Sequence, residues 1–137
     1  MTRRRALIVA ALTALAVAAG AAAATVTVTL NLQGGVGSRT LRACGALHHY
    51  TLYRTGSRIK IDGSVTPPPT AFRVKLKVKR CVRGTFRTVW SGGAHERADG
   101  TFAGVFVARR RGLYFARAYV HSGGPEFRSD KQHFQVR

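Results

Sequence analysis

A row of alternating cations is the most distinct chemical feature of this 137-residue chain. The row consists of Arg73, Lys75, Lys77 and Lys79. On a β-strand these side chains would point to one side of the sheet, about 6.8 Å apart. Phosphate or carboxylate groups repeated along a polymer could bind such a row through charge attraction and counterion release. The alternative is that lysines on an exposed sheet face only prevent strand-to-strand aggregation.

Further cations extend this feature. Arg58 and Lys60 also alternate with apolar residues, and we expect them on a neighbouring strand of the same sheet, with Arg87 on another. Together these residues would form a flat cationic patch. The whole chain has a formal net charge of +18, and 20 of its 23 Lys and Arg follow residue 24, as do all five acidic residues. Such an excess of positive charge attracts polyanions. The alternative is that the basic residues only form a solvated surface and bind no polyanion.

Residue patterns typical of catalysis or metal binding are not evident. The acidic residues occur singly along the chain, so a paired acid–base arrangement would have to be assembled by the fold. His48 and His49 are adjacent, and on a strand they would point to opposite faces. The glycine-rich segment 33–38 lacks the lysine of a phosphate-binding loop. We therefore expect a protein that is not an enzyme and that has no catalytic residues, no metal and no cofactor.

Aromatic side chains offer one more binding chemistry, which is stacking on sugars. The candidates are Tyr50, Tyr53, Trp90, Tyr119 and Phe127. Trp90 is the strongest of them, although aromatic residues at this spacing more often pack in a core or across strands.

The first 24 residues predict a signal peptide. Three arginines at positions 3–5 precede an apolar run at 6–19, and small residues with an Ala-x-Ala pattern fill 20–24. An uncleaved membrane anchor is the alternative reading. An exported chain with an even number of cysteines favours a disulfide, here between Cys44 and Cys81. We expect a secreted or envelope-associated protein.

After the signal peptide, hydrophobic alternation of period two predicts β-strands throughout. Residues 25–32 form one strand pattern, and a Gly-rich lead-in follows up to residue 47. Short strands are predicted at 50–54, 58–65, 71–81, 85–90, 101–108, 113–120 and 127–136, with a loop at 91–93. No segment after residue 24 has helical periodicity. The chain therefore divides into 1–24, a lead-in at 25–47 and an all-β antiparallel sandwich of about seven strands at 48–137.

Three local patterns carry a resemblance to known domains. Gly63-Ser64-Val65 ends an early strand, Asp99-Gly100-Thr101-Phe102 opens a late one, and Gly112-Leu113-Tyr114 opens the next. This order resembles bacterial immunoglobulin-like and fibronectin-type-III-like domains and, as a second choice, the prealbumin-like regulatory domain. The resemblance covers about residues 48–137.

The resemblance implies roles for three residues. It gives Tyr114 the role of a tyrosine corner, whose hydroxyl bonds to nearby backbone. Ala116 stands where antibody-type domains carry a cysteine, so Cys44 and Cys81 cannot form the usual inter-sheet bridge. We expect them to tie the lead-in to the end of the basic strand instead.

These observations favour a non-catalytic, envelope-associated binding module. Its anion-binding residues would be Arg58, Lys60, Arg73, Lys75, Lys77 and Lys79. The expected partners are an anionic cell-wall polymer, a membrane surface or a protein, and the sequence does not favour specific nucleic-acid recognition. The alternative is a spacer or protein-interaction domain without a small-molecule ligand. The sequence leaves the ligand and the oligomeric state open.

Overall fold

The alternating apolar residues are buried between two β-sheets. A computed structural model describes residues 25–137, and the predicted signal-peptide helix lies outside this range. The eleven strands are β1 (Thr27–Leu32), β2 (Gly37–Ala43), β3 (Ala46–Tyr53), β4 (Arg58–Thr66), β5 (Arg73–Val82), β6 (Thr85–Gly93), β7 (His95–Glu96), β8 (Thr101–Val107), β9 (Gly112–His121), β10 (Phe127–Arg128) and β11 (Gln132–Val136). Within the described range no helix is long and apolar enough to cross a membrane.

The strands form a four-stranded and a seven-stranded sheet. The smaller sheet has the order β1-β4-β8-β7, and the larger has the order β2-β3-β11-β9-β5-β6, with β10 paired to β9. All pairs are antiparallel except β3 with β11, which run parallel. The chain passes between the sheets through the Pro67-Pro68-Pro69 segment, whose residues cannot donate ladder hydrogen bonds.

Both sheets contribute one face to a common core. The smaller sheet buries Val28, Leu30, Ile59, Ile61, Val65, Phe102 and Phe106. The larger sheet buries Tyr53, Val74, Leu76, Val78, Tyr114, Ala116, Ala118, Val120, Phe134 and Val136. In β5 the residues before and after each of these valines and leucines are basic, so burial of the inner row directs the cations outward.

The all-β, two-sheet prediction is confirmed, whereas several details differ. Residues 40–47, which the sequence assigns to the lead-in, belong to the β2–β3 hairpin, in which Gly37 pairs with Leu52 and Ala43 with Ala46. Residues 91–93 are not a loop but the end of β6. The last predicted strand is divided into β10 and β11. Between them, Ser129 stays bonded to Ala118, but its side-chain oxygen accepts the Ala118 N–H, while its own N–H donates to the Ala118 carbonyl oxygen.

The disulfide joins Cys44 in the β2–β3 turn to Cys81 near the end of β5, with their Cα atoms 6.0 Å apart. This is the predicted connection between the lead-in and the basic strand. Strands β11 and β9 lie between β3 and β5. In a flat sheet, β3 and β5 would therefore be about 14 Å apart, which is too far for a disulfide between their ends. The hairpin tip and the end of β5 therefore curl toward each other.

Tyr114 fixes the loop that connects the two sheets. Its hydroxyl donates a hydrogen bond of 2.6 Å to the carbonyl oxygen of Arg110, in the segment between β8 and β9. The ring itself is buried against Phe134 and Phe106 in the core. One side chain thus anchors both the core and the loop.

Removal of the disulfide should lower the free energy of unfolding. Replacing Cys44 and Cys81 together with Ser opens a covalent loop with a sequence separation of 37 residues. The chain-entropy model gives a loss of roughly 4 kcal/mol for a loop of this size. Urea unfolding of the double variant and the oxidised protein measures the difference, and a loss below about 1 kcal/mol would contradict a structural role for the bond.

Loss of the Tyr114 hydroxyl should have a smaller effect. Tyr114→Phe leaves the Arg110 carbonyl without its donor and should cost about 1 kcal/mol of unfolding free energy. Tyr119→Phe is the matched control, because the Tyr119 hydroxyl makes no hydrogen bond within the described residues. Equal stability of the two variants in urea would show that the Tyr114 bond is not stabilising.

Candidate functional site

The outer face of the larger sheet brings together the four cations of the predicted row. Arg73, Lys75, Lys77 and Lys79 all point away from the core along β5. Arg73 and Lys75 are exposed, whereas Lys77 and Lys79 are partly buried. The adjacent strand β9 places His121, Tyr119, Arg117 and Phe115 directly opposite these four residues, in that order. Residues that are paired across strands share a face. The cationic row of β5 therefore lies beside a row of β9 that contains aromatic and basic side chains.

Two aromatic rings on this outer face are covered by cationic side chains. Lys77 Nζ lies 4.6 Å from the centroid of the Tyr119 ring, and Arg128 lies over the same ring at 5.4 Å. Lys131 Nζ lies 4.9 Å from the Phe115 ring centroid, and Lys79 Nζ lies at 5.8 Å. The rings are only 8% and 3% exposed although they belong to the outer face. The charged groups of these side chains therefore lie over the ring faces and help to cover them.

A few polar contacts fix the border of this face. The Arg117 side chain donates to the carbonyl oxygen of Ser129 at 2.8 Å. Arg128 Nε donates to a carboxylate oxygen of Glu126 at 2.8 Å, and His121 Nε2 lies 3.3 Å from the other oxygen. The hydrogen bond from Arg128, with smaller effects of nearby positive charge, holds the pKa of Glu126 below its ordinary value. Glu126 thus offsets part of the positive charge at the end of the face near β10.

The prediction that Arg58 and Lys60 share this sheet is wrong. They lie on β4 in the smaller sheet and point outward, so they occupy the opposite outer surface of the sandwich. Alternation showed correctly that these side chains face away from the core, but it does not show which sheet a strand joins. Arg87 does lie beside β5, yet a register shift after Val78 places it opposite Arg80. Arg87 therefore does not extend the row formed by the lysines.

Beyond the row, five rings form an outer aromatic cluster close to the disulfide. The cluster consists of His48, Tyr50, Phe86, Phe115 and His133. His48 and His133 stack with centroids 3.8 Å apart, and Tyr50 is fully buried outside the main core. Because the β2–β3 hairpin tip curls toward the end of β5, these rings are enclosed on the outer face.

Burial determines the protonation of His133. Desolvation, assisted by the charges of His48 and Lys131, lowers the pKa of His133 to about 4. Its Nε2 atom is buried without a hydrogen-bond partner. Residues 25–137 contain no group of three or more His, Cys, Asp or Glu side chains arranged to hold a metal ion. In this environment His133 contributes a neutral ring to the packing.

Sequence analysis did not identify Phe115, Arg117, Arg128 and Lys131 as part of the site. Apolar or aromatic residues occupy every position of 113–120 except Arg117, which conceals which rings point outward. Alternation along β9 could have revealed Phe115 and Arg117. If Tyr114 packs in the core, then Phe115, Arg117 and Tyr119 must point to the outer face of the sheet. Trp90 does not belong to this face. It pairs with Val78 and packs on Phe106 from the inner side.

Comparisons with known proteins give a likeness of fold only. No protein-family model and no curated protein matches the sequence. Among solved structures, the soluble domain of PmoD from Methylocystis sp. is similar, with a TM-score of 0.47 and 13% sequence identity. The similarity covers 82% of this chain and 90% of that chain. At this level of similarity the comparison does not indicate a function.

The low pKa of His133 should make stability depend on pH. Between pH 6.5 and about 4 the unfolded chain binds a proton at this histidine that the folded chain does not. The free energy of unfolding should therefore fall as the pH drops through this range, by at most about 1.4 kcal/mol for each pH unit. His133→Phe should remove most of this slope, because it keeps a ring in the cluster and loses no Nε2 hydrogen bond.

Urea unfolding at several pH values measures this slope. His49→Gln is the control, since His49 is an exposed histidine next to His48 and lies outside the cluster. The slope should persist in this control. A slope that is unchanged in His133→Phe would contradict the assignment.

Proposed function

We propose that this protein is an exported, non-catalytic, immunoglobulin-like sandwich that binds an anionic polymer of the cell envelope. Binding occurs on the outer face of the larger sheet. The proposal keeps Arg73, Lys75, Lys77 and Lys79 as binding residues, adds Arg117, Arg128 and Lys131, and assigns no binding role to Arg58 and Lys60.

The observation that carries the proposal is the density of cations on one sheet face. Seven Lys and Arg side chains belong to this face, and four of them lie over the rings of Phe115 and Tyr119. The carboxylate of Glu126 is already paired with Arg128. The positive charges repel one another, so a bound polyanion relieves a cost that the folded protein carries in its absence. A ligand with repeated negative charge matches this face better than a single anion does.

The geometry of β5 suits an extended polymer. Alternate cations follow one another at about 6.8 Å along the strand, so a chain of phosphates or carboxylates lying along β5 meets a charge at each step. Binding releases the counterions that the polymer has condensed, and the affinity therefore falls steeply with salt concentration. The face offers mainly charge, because its aromatic rings are covered by the cations, and we expect little selectivity for the monomer.

The disulfide supports a location outside the cytoplasm. A Cys44–Cys81 bond in a small β-domain is consistent with an extracellular or periplasmic location. Export through a signal peptide at residues 1–24 is part of the proposal. The tyrosine-corner bond of Tyr114 supports the immunoglobulin-like assignment.

The second candidate is a spacer or protein-interaction domain. The observation in its favour is that Lys77, Lys79, Arg128 and Lys131 already cover aromatic rings. Such side chains keep the outer face soluble even without a ligand. This candidate requires no saturable binding to any polyanion.

Two charge-matched double variants test the proposal. Arg73→Gln/Lys75→Gln removes two exposed cations from the larger sheet, and Arg58→Gln/Lys60→Gln removes two exposed cations from the smaller sheet. In each variant the positions are two apart on one strand. Binding to labelled linear polyphosphate is measured by anisotropy over a range of salt concentrations, with neutral dextran as the polymer control.

The larger-sheet variant should bind more weakly, and its log–log salt slope should be smaller by about 1.4, which is 0.7 for each lost contact. The smaller-sheet variant should bind almost as the unchanged protein does. Equal losses in both variants would show that only the net charge matters. Absence of saturable binding in the unchanged protein would favour the spacer.

A further inference from the structure

The two sheets separate along one edge and leave a cleft of about 530 Å³. On one side lies β6, the last strand of the larger sheet, and on the other lies β8. The two-residue strand β7 pairs only with Phe102 and Ala103 of β8, so the rest of that edge of β8 is not covered by a strand within the described residues. The cleft opens where both sheets end.

The floor and walls of the cleft are apolar and aromatic. They are formed by Val89, Trp90, Val105, Phe106, Val107 and Tyr114. Trp90 and Phe106 lie with ring centroids 5.6 Å apart, and Phe106 continues to Tyr114 at 6.0 Å. Val89 is 48% exposed at this opening, and Val105, which is 41% exposed, lies at its border, where it pairs with Lys60 on the outer face of the smaller sheet. Small-molecule sites have such linings and volumes.

The rim of the cleft is positively charged. Arg80, Arg109 and Arg110 line it, and no acidic residue does. Arg80 donates one hydrogen bond of 3.0 Å to the carbonyl oxygen of Arg111, while its buried Nε has no hydrogen-bond partner. Tyr114 lines the cleft beside these cations, and its hydroxyl donates to the carbonyl oxygen of Arg110. Burial raises the pKa of Tyr114, and the charges of Arg80 and Arg110 oppose this rise.

Two glycines leave room for the side chains of Trp90 and Arg80 at the cleft. A Cβ atom at Gly92 would lie 2.5 Å from the Trp90 ring, and one at Gly112 would lie 2.8 Å from Arg80 Nε. The indole and the guanidinium can therefore lie against bare backbone. Any larger residue at these two positions would push these side chains from their places at the cleft.

We infer that this cleft binds a small amphipathic carboxylate, with the apolar body between the sheets and the carboxylate among the arginines. The apolar lining suits an apolar ligand body, and the arginine rim, which contains no acidic residue, suits a negatively charged group such as a carboxylate. The inference is independent of polymer binding, because the cleft opens at the edge of the sandwich and shares no residue with the outer face of β5.

Trp90 provides a direct measurement, since it is the single tryptophan of the chain. Decanoate is titrated into the full protein below the concentration of micelle formation, and the Trp90 fluorescence is followed. Decyltrimethylammonium, which has the same chain length and the opposite charge, is titrated in parallel. The inference predicts a saturable change with decanoate and none with the cation. An equal response to both, or no saturable response to decanoate, would overturn it.

Two pairs of variants locate the site. Arg109→Gln/Arg110→Gln removes two exposed rim charges and should raise the dissociation constant at least about tenfold, whereas Arg73→Gln/Lys75→Gln, which removes two exposed charges away from the cleft, should change it less than about twofold. Val89→Glu places a negative charge next to Trp90 at the opening of the cleft and should weaken binding similarly, while Val36→Glu alters an exposed valine elsewhere and should not. Circular dichroism verifies that each variant is folded. If the cleft variants bind decanoate like their controls, the ligand lies elsewhere and the inference fails.

Discussion

Side-chain alternation along β5 is the constraint on which the rest of the structure depends. Val74, Leu76 and Val78 are almost fully buried, so the basic residues between them have only the outer face available. A register change of one residue would bury charges and expose the core row, which is strongly unfavourable. The same strand therefore secures the packing of the two sheets and the position of the cationic row.

The outer face also shows how a small, highly charged domain remains folded. The cations do not only project into solvent, because several lie across aromatic rings that the sheet cannot bury in its core. The disulfide adds to this arrangement by holding the β2–β3 hairpin close to the end of β5, next to the outer aromatic cluster. Charge, ring packing and the covalent bond thus act on one face of one sheet.

Local patterns in the sequence were sufficient for part of this structure. Alternation predicted the strand around Val74 and its outward cations, and the two cysteines and Tyr114 were assigned to the contacts that the structure contains. Sheet membership was not predictable, because it depends on the order in which distant strands pair. Arg58 and Lys60 were therefore placed on the wrong face. The cleft beside Trp90 also depends on long-range packing, since it lies where the short strand β7 no longer pairs with β8.

The most direct test of the account is a map of amide chemical shifts during a polyphosphate titration. The protein is labelled with ¹⁵N, and shift changes are assigned to residues at low and at high salt. If the outer face of the larger sheet binds the polymer, the changes cluster on Arg73–Lys79 of β5 and on the paired segment of β9, and they disappear at high salt. Changes of equal size on β4 and β8 would contradict the account.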